Sequence, residues 1–235
     1  MKTENTYTTA AAIYTAADEL IKAIRREEIT TAADALGVIY SIWDAAATLR
    51  DEAAEEVRRE AAKQSGRATV YAAVKRMLKA ADASPRDALH GAHRSADGYI
   101  NICDGFRLLR LNAETAPELP ERPEGLPPYI DAARILPRDF TQTDRVHLPD
   151  PAELRAHIKT EKARKKAARD KTPPLYSVTT DAGAVIYFNA AFILDMMEAL
   201  PMAEAYAAKD RASLSGVIFE AESGRGYLLP VRPPQ

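Results

Sequence analysis

Residues 183–232 switch between two hydrophobic periods, and that switching constrains the fold more than any other feature of the chain. Residues 184–188 form a short β-branched and aromatic run. Asn189 then stands as a helix N-cap before Phe192, Ile193, Met196, Met197 and Leu200, whose spacing marks one apolar helical face. Pro201 stops that helix. Three alternating runs follow at residues 203–207, 214–220 and 227–231, with turn signals at Lys209-Asp210 and at Ser223-Gly224-Arg225-Gly226. The segment predicts a strand, an inward-packed helix and a three-strand meander.

Upstream, residues 8–64 are Ala-rich, contain no Pro and carry only Gly37, which predicts two helices broken near Ile29-Thr30-Thr31. Ile13, Ala17, Leu20, Ile21 and Ile24 share a face of the first. In the second, Leu36, Ile39, Trp43, Ala46, Leu49, Ala53 and Val57 form a stripe, with Thr31 and Asp34 at a capped start. Residues 1–64 hold 12 acids and 8 bases, a net charge of −4, so this hairpin is unsuited to lying on DNA. Either it packs on the rest of the chain as a plain αα-hairpin, or it serves dimerisation or partner docking.

Ser65-Gly66 breaks the helix, and residues 68–83 resume one with Val70, Val74, Met77, Leu78 and Ala81 inward. Residues 90–95 and 99–103 flank Asp97-Gly98 as a hairpin, and Asp104-Gly105 turns again into a strand at 106–111. Five prolines within residues 112–128 exclude helix and imply an extended linker. Asp150 as N-cap and Pro151 at the first position open a helix that runs to about Asp170. Residues 175–180 return as a strand. The expected organisation is a helical hairpin at 1–66, a half-domain at 67–111, a linker at 112–128 and a C-terminal domain at 129–235.

Three segments carry a resemblance. The FN-x-x-x-[IL]-LD-x-x-x-AL helix with a final strand ending in LPVR, the strand-turn Asp104-Gly105-Phe106-Arg107-Leu108, and YIDAARILP at residues 129–137 resemble, in family order, elements of the bacterial DNA polymerase III β subunit, the sliding clamp. The resemblance implies an α+β fold with clamp-like antiparallel sheets and helices, here preceded by the helical hairpin. It also implies a peptide-binding pocket at Gly105, Phe106, Arg107, Leu108, Pro137, Tyr227, Leu229, Pro230, Val231 and Arg232. This chain departs from the family at Cys103, where clamps carry Thr, at Tyr227, where an aliphatic residue is usual, and after Arg232, where it continues. The clamp's first domain has no counterpart.

Chemistry is sparse by comparison. His90 and His93 lack further ligands at metal spacing, Cys103 lacks a base, and Gly224-Arg225-Gly226 lies between strands and cannot cradle a phosphate at a helix start. No nucleotide, hydrolase or paired-carboxylate signature occurs, which favours a non-catalytic binding protein with no metal or cofactor. The net charge of −2 leaves any electrostatic partner to a local patch. Residues 155–171 supply one, with 8 bases against 2 acids. Arg155, Lys159, Lys162, Arg164, Lys165, Lys166 and Arg169 are the DNA-binding candidates, with a solvated helix face as the alternative. One Cys and no long apolar run predict a cytoplasmic protein without a membrane span. The expected partners are duplex DNA, replication proteins carrying clamp-binding motifs, and further copies of the chain. The rival expectation is a regulatory or interaction protein that keeps the clamp fold as scaffold and uses the hairpin for partner or self-association.

Overall fold

The computed structural model describes residues 32–136, 143–209 and 214–232, together with Ile13, Thr15, Ala17, Asp18 and Lys22; for residues 32–35 and 38 only the backbone is described. It divides into two compact units, residues 1–64 and 65–235.

Within the first unit, helix α1 spans Ala32–Gln64. Its Ala content favours helix, and ion pairs at i,i+3 reinforce its last turns: Arg58 with Glu55 at 3.7 Å, Arg59 with Glu56, and Lys63 with Glu60 at 2.5 Å. Of the expected stripe, Leu49 is half-buried and the larger members elsewhere are open. Leu36, Ile39, Trp43 and Val57 are exposed, as is Tyr40. Most of the first helix of the expected hairpin lies outside the described residues.

The second unit is α+β. Among the described residues its strands are β1 (His93–Arg94), β2 (Tyr99–Cys103), β3 (Arg107–Asn112), β4 (Thr143–His147), β5 (Leu175–Thr180), β6 (Val185–Asn189), β7 (Glu204–Ala208), β8 (Val217–Ala221) and β9 (Gly224–Leu228). They form one sheet in the order β1-β2-β3-β9-β8-β7-β4-β5-β6, with every pairing antiparallel. Both halves of the chain thus enter the same sheet, because β3 pairs with β9 through Leu108↔Tyr227 and Leu109↔Gly226. The sheet curls. Val231, just past β9, donates its N–H to Tyr187 O in β6 at 2.7 Å, although four strands separate β9 from β6 in the order.

Three helices cover the inner face: α2 (Ala68–Asp82), α4 (Pro151–Ala167) and α5 (Ala190–Ala199), with a short α3 (Ala132–Ile135) elsewhere. Alternation along the strands sends Ile100, Ile102, Leu109, Leu111, Phe219 and Leu228 inward, where they are almost fully buried against Val74, Met77, Ile193 and Met196. The helix starts match the cap chemistry. Asn189 Oδ1 accepts from Ala191 N–H at 3.0 Å, and Asp150 Oδ1 accepts from Ala152 N–H at 2.7 Å. Helix α4 ends at Ala167, short of the expected Asp170, with Ala168 as its C-cap.

One boundary differs for a packing reason. Gly224-Arg225-Gly226 is not the turn but the first half of β9, and the reversal falls on Glu222-Ser223 between the paired residues Ala221 and Gly224. A Cβ on Gly226 would lie 2.0 Å from Met196 Cε and 3.0 Å from Leu200 Cδ1, while one on Gly224 would lie 2.3 Å from Arg110 O. Glycine here admits α5 and β3 at close range. Among the described residues no helix is long and apolar enough to cross a membrane.

Candidate functional site

The Asp104-Gly105 turn is fixed by its own side chain. Asp104 Oδ1 accepts from Phe106 N–H at 2.9 Å and Arg107 N–H at 2.8 Å, and Gly105 adopts φ 90°, a region that favours glycine. This geometry turns Phe106 outward, 61% exposed, and Leu108 inward, 2% exposed. Leu229 donates its N–H to Phe106 O at 3.0 Å, so the end of β9 lies against the turn.

Between them lies an apolar depression of about 290 Å³. Leu89 and Leu108 are its buried floor, Cys103, Ile130 and Tyr227 contribute walls, and Phe106, Ile135 and Leu229 stay exposed at the rim. Tyr227 does not fill the space. Its ring lies where a Cβ on Gly216 would be, 2.2 Å from Cζ, and its hydroxyl accepts from Gly216 N–H at 3.1 Å.

Of the residues expected at this pocket, Gly105, Phe106, Arg107, Leu108, Tyr227 and Leu229 come together. Pro230, Val231 and Arg232 follow Leu229 toward β6 and do not line it. Pro137 lies outside the described residues. Leu89 had no marker in the sequence, whereas Ile130 and Ile135 lie inside YIDAARILP and were open to recognition from that segment.

Arg107 lines the site from below and is held in a buried ionic cluster. Its Nε and Nη2 donate to Asp104 Oδ2 at 2.8 and 2.6 Å, and its Nη1 donates to Asp195 Oδ2 at 2.5 Å. The guanidinium also lies 4.0 Å from the centroid of Phe192. Asp195 continues to Arg76 Nε at 2.6 Å; Arg76 pairs with Glu198, and Glu198 accepts from Arg155 Nη2 at 2.7 Å. The cluster thus runs from the turn, through α5 and α2, to α4.

Helix α4 carries the basic patch. Arg155, Lys159, Lys162 and Lys166 follow one another at i, i+4, i+7 and i+11, which places them on one face, and Arg169 continues the spacing just past the helix. Lys159, Lys162, Lys166 and Arg169 are exposed and form no ion pair among the described residues. The other three candidates are engaged: Arg155 with Glu198, Arg164 with Glu161 at 2.9 Å, and Lys165 with Asp170 at 2.9 Å.

Burial pushes the Cys103 thiol up from its ordinary value, which suppresses the thiolate, and burial with the nearby Arg122 charge lowers His93. Among the described residues no group of His, Cys, Asp or Glu is placed to hold a metal ion.

No family model and no curated protein matches the chain. Solved structures similar to it include the DNA polymerase sliding clamp from Pseudomonas aeruginosa, with TM-score 0.41 and 14% identity over 67% of this chain and 64% of that one. They also include the Helicobacter pylori beta clamp bound to a DNA ligase peptide, with TM-score 0.42 and 13% identity over 69% and 63%. The chain spans less than two thirds of the length of either.

Proposed function

We propose that this chain is a non-catalytic, sliding-clamp-like binding protein whose apolar depression takes a short peptide motif carried by replication proteins. The observation that carries the reading is the grouping of exposed Phe106, Ile135 and Leu229 around a preformed apolar floor, where the DGFRL turn meets the last strand. Apolar side chains of a peptide lose water on entering such a concavity, and a preformed wall limits the ordering entropy. The YIDAARILP segment and the two motifs beside it support the same reading through their likeness to clamp elements.

Helix α4 supplies the second contact. Lys159, Lys162, Lys166 and Arg169 offer charge to duplex phosphates without reading sequence. In this reading residues 67–111 and 129–235 act as clamp-like units joined by the linker 112–128, the protein works in the cytoplasm, and it assembles with further copies of itself. Isothermal titration calorimetry with a synthetic clamp-binding-motif peptide tests the leading claim. Saturable heat at micromolar peptide is expected, and no heat at millimolar peptide overturns it.

A second reading has its own observation. The exposed Leu36, Ile39, Tyr40 and Trp43 on α1 suit a regulatory or interaction protein that associates through its N-terminal helices. Deleting residues 1–64 separates the two: the interaction reading predicts loss of oligomer or partner by light scattering, and the clamp-like reading predicts retained peptide binding.

A further inference from the structure

Leu89, part of the floor of the Phe106–Leu229 depression, closes a short 3-10 turn at Asp87–Leu89. The carbonyls that flank it, Ala88 O and His90 O, both accept from one side chain, that of Arg122. Arg122 Nε donates to His90 O at 2.9 Å, and Nη2 donates to Ala88 O at 3.4 Å and to Pro127 O at 2.8 Å. Its guanidinium also lies 5.4 Å from the centroid of the Tyr129 ring. Pro127 and Tyr129 lead into Ile130 and Ile135, which supply a wall and the rim. One planar group therefore ties the loop that carries the floor to the segment that carries the wall, although Arg122 does not itself line the depression.

The acceptors are main-chain carbonyls, so the fork fixes backbone to backbone. The segment around Arg122 is seated on the same loop by other means. Glu121 forms a parallel bridge with Ala92. Gly91 admits the strap: it adopts φ 72°, and a Cβ there would lie 3.0 Å from Arg122 Cγ and 3.1 Å from Arg122 Cα. On the far side of the loop, a Cβ on Gly105 would lie 3.9 Å from Leu89 Cδ1, so the floor meets the Asp104-Gly105 turn at ordinary contact distance. A loop released from Arg122 would have to be ordered by the peptide on binding, which lowers affinity without removing any contact to the peptide.

We propose that Arg122 is the positioning residue of the peptide depression: from within the Pro-rich segment 112–128 it fastens the Leu89 loop to residues 127–130 and fixes the shape that a ligand meets. The ligand rests on the peptide reading above; the loop geometry does not depend on it. NMR of the full chain carrying Arg122→Met, which keeps a stem beside Gly91 and removes the donors, is the test. The nuclear Overhauser contact between the Leu89 Cδ1 methyl and Gly105 Hα should weaken or vanish, while the methyl shifts of Val74 and Ile193 in the core stay in place. A labelled clamp-binding-motif peptide should bind at least about tenfold more weakly. If the Val74 and Ile193 shifts collapse with loss of the fold, Arg122→Lys carries the test: one nitrogen replaces the planar fork, and both readouts should move in the same direction. An unchanged Leu89–Gly105 contact, or unchanged affinity, in the folded variant overturns the proposal. A peptide that fails to bind the unsubstituted chain overturns the peptide reading instead, and the Leu89–Gly105 contact then decides the role of Arg122 by itself.

Discussion

Arg107 Nη1 and Asp195 Oδ2 meet at 2.5 Å across 88 residues of sequence, with side-chain exposures of only 2% and 8%. Arg107 therefore ties the turn beneath the depression to α5. Removing the arginine leaves a buried carboxylate, Asp104, charged and without its ion-pair partner. Arg107→Met is expected to cost about 3–5 kcal/mol of stability in urea denaturation, because the buried Asp104 loses its ion-pair partner and Asp195 keeps only Arg76.

The rim is expected to behave in the opposite way. Phe106 is exposed and packs only in part, with its ring 6.1 Å from that of Phe192. Phe106→Ala should change stability by less than about 1 kcal/mol in the same experiment while weakening peptide binding. A large loss of stability would show that the ring belongs to the core.

The two strand glycines should differ from a turn glycine. Gly224→Ala places a Cβ 2.3 Å from a backbone carbonyl and is expected to cost about 2–4 kcal/mol. Gly98, with φ 83° and open space around it, should cost about 1 kcal/mol on the same change. Urea midpoints of the two variants compare them directly.

Alkaline pH offers a fourth check. The Cys103 thiol is raised above its ordinary 9.0 and the Tyr129 phenol above its ordinary 10.0, each chiefly by burial. In the unfolded chain both release their protons at the ordinary values, so above about pH 9 the unfolded state binds fewer protons than the folded one. The stability these groups contribute is intact below pH 9 and is lost as pH rises beyond it. Urea melts between pH 7 and 11 should show a plateau followed by a fall, and unchanged stability at pH 11 would contradict the assignment.

Salt dependence tests the basic helix. If Lys159, Lys162, Lys166 and Arg169 each meet a phosphate, replacing all four by Ala should flatten the log–log salt slope for duplex DNA by about 3.6, at about 0.9 per contact. Arg155→Ala should leave the slope nearly unchanged, since Glu198 already holds that guanidinium. Equal slopes for the fourfold variant and the unsubstituted chain would remove α4 from the interface.

Local chemistry made part of this fold readable. Asn189 and Asp150 cap the helices that their sequence context implies, and alternation placed β6, β7 and β8 to within a few residues, though not β9, which begins at Gly224 rather than at 227, because caps and periodicity act within a few residues. Contacts between distant segments were not readable. Gly224 and Gly226 have the composition of a turn, and only the approach of Met196 and Arg110 explains why they are strand. Arg107 has the motif of a pocket arginine, but nothing near it in sequence points to Asp195. Arg155 stands in a basic run, and its commitment to Glu198 depends on the packing of α4 against α5. At the site, the DGFRL turn and Leu229 were visible as motifs, whereas Leu89 reaches the floor only through the fold.

Fluorescence anisotropy of a labelled clamp-binding-motif peptide, titrated with the unsubstituted chain and with Leu229→Glu, tests the central claim most directly. The substitution puts a charge at the rim, where Leu229 is 40% exposed, so the fold should survive. Micromolar affinity falling by at least about tenfold, with an unchanged melting temperature, is the predicted result. Equal affinity of the two proteins would place the peptide elsewhere and contradict the account.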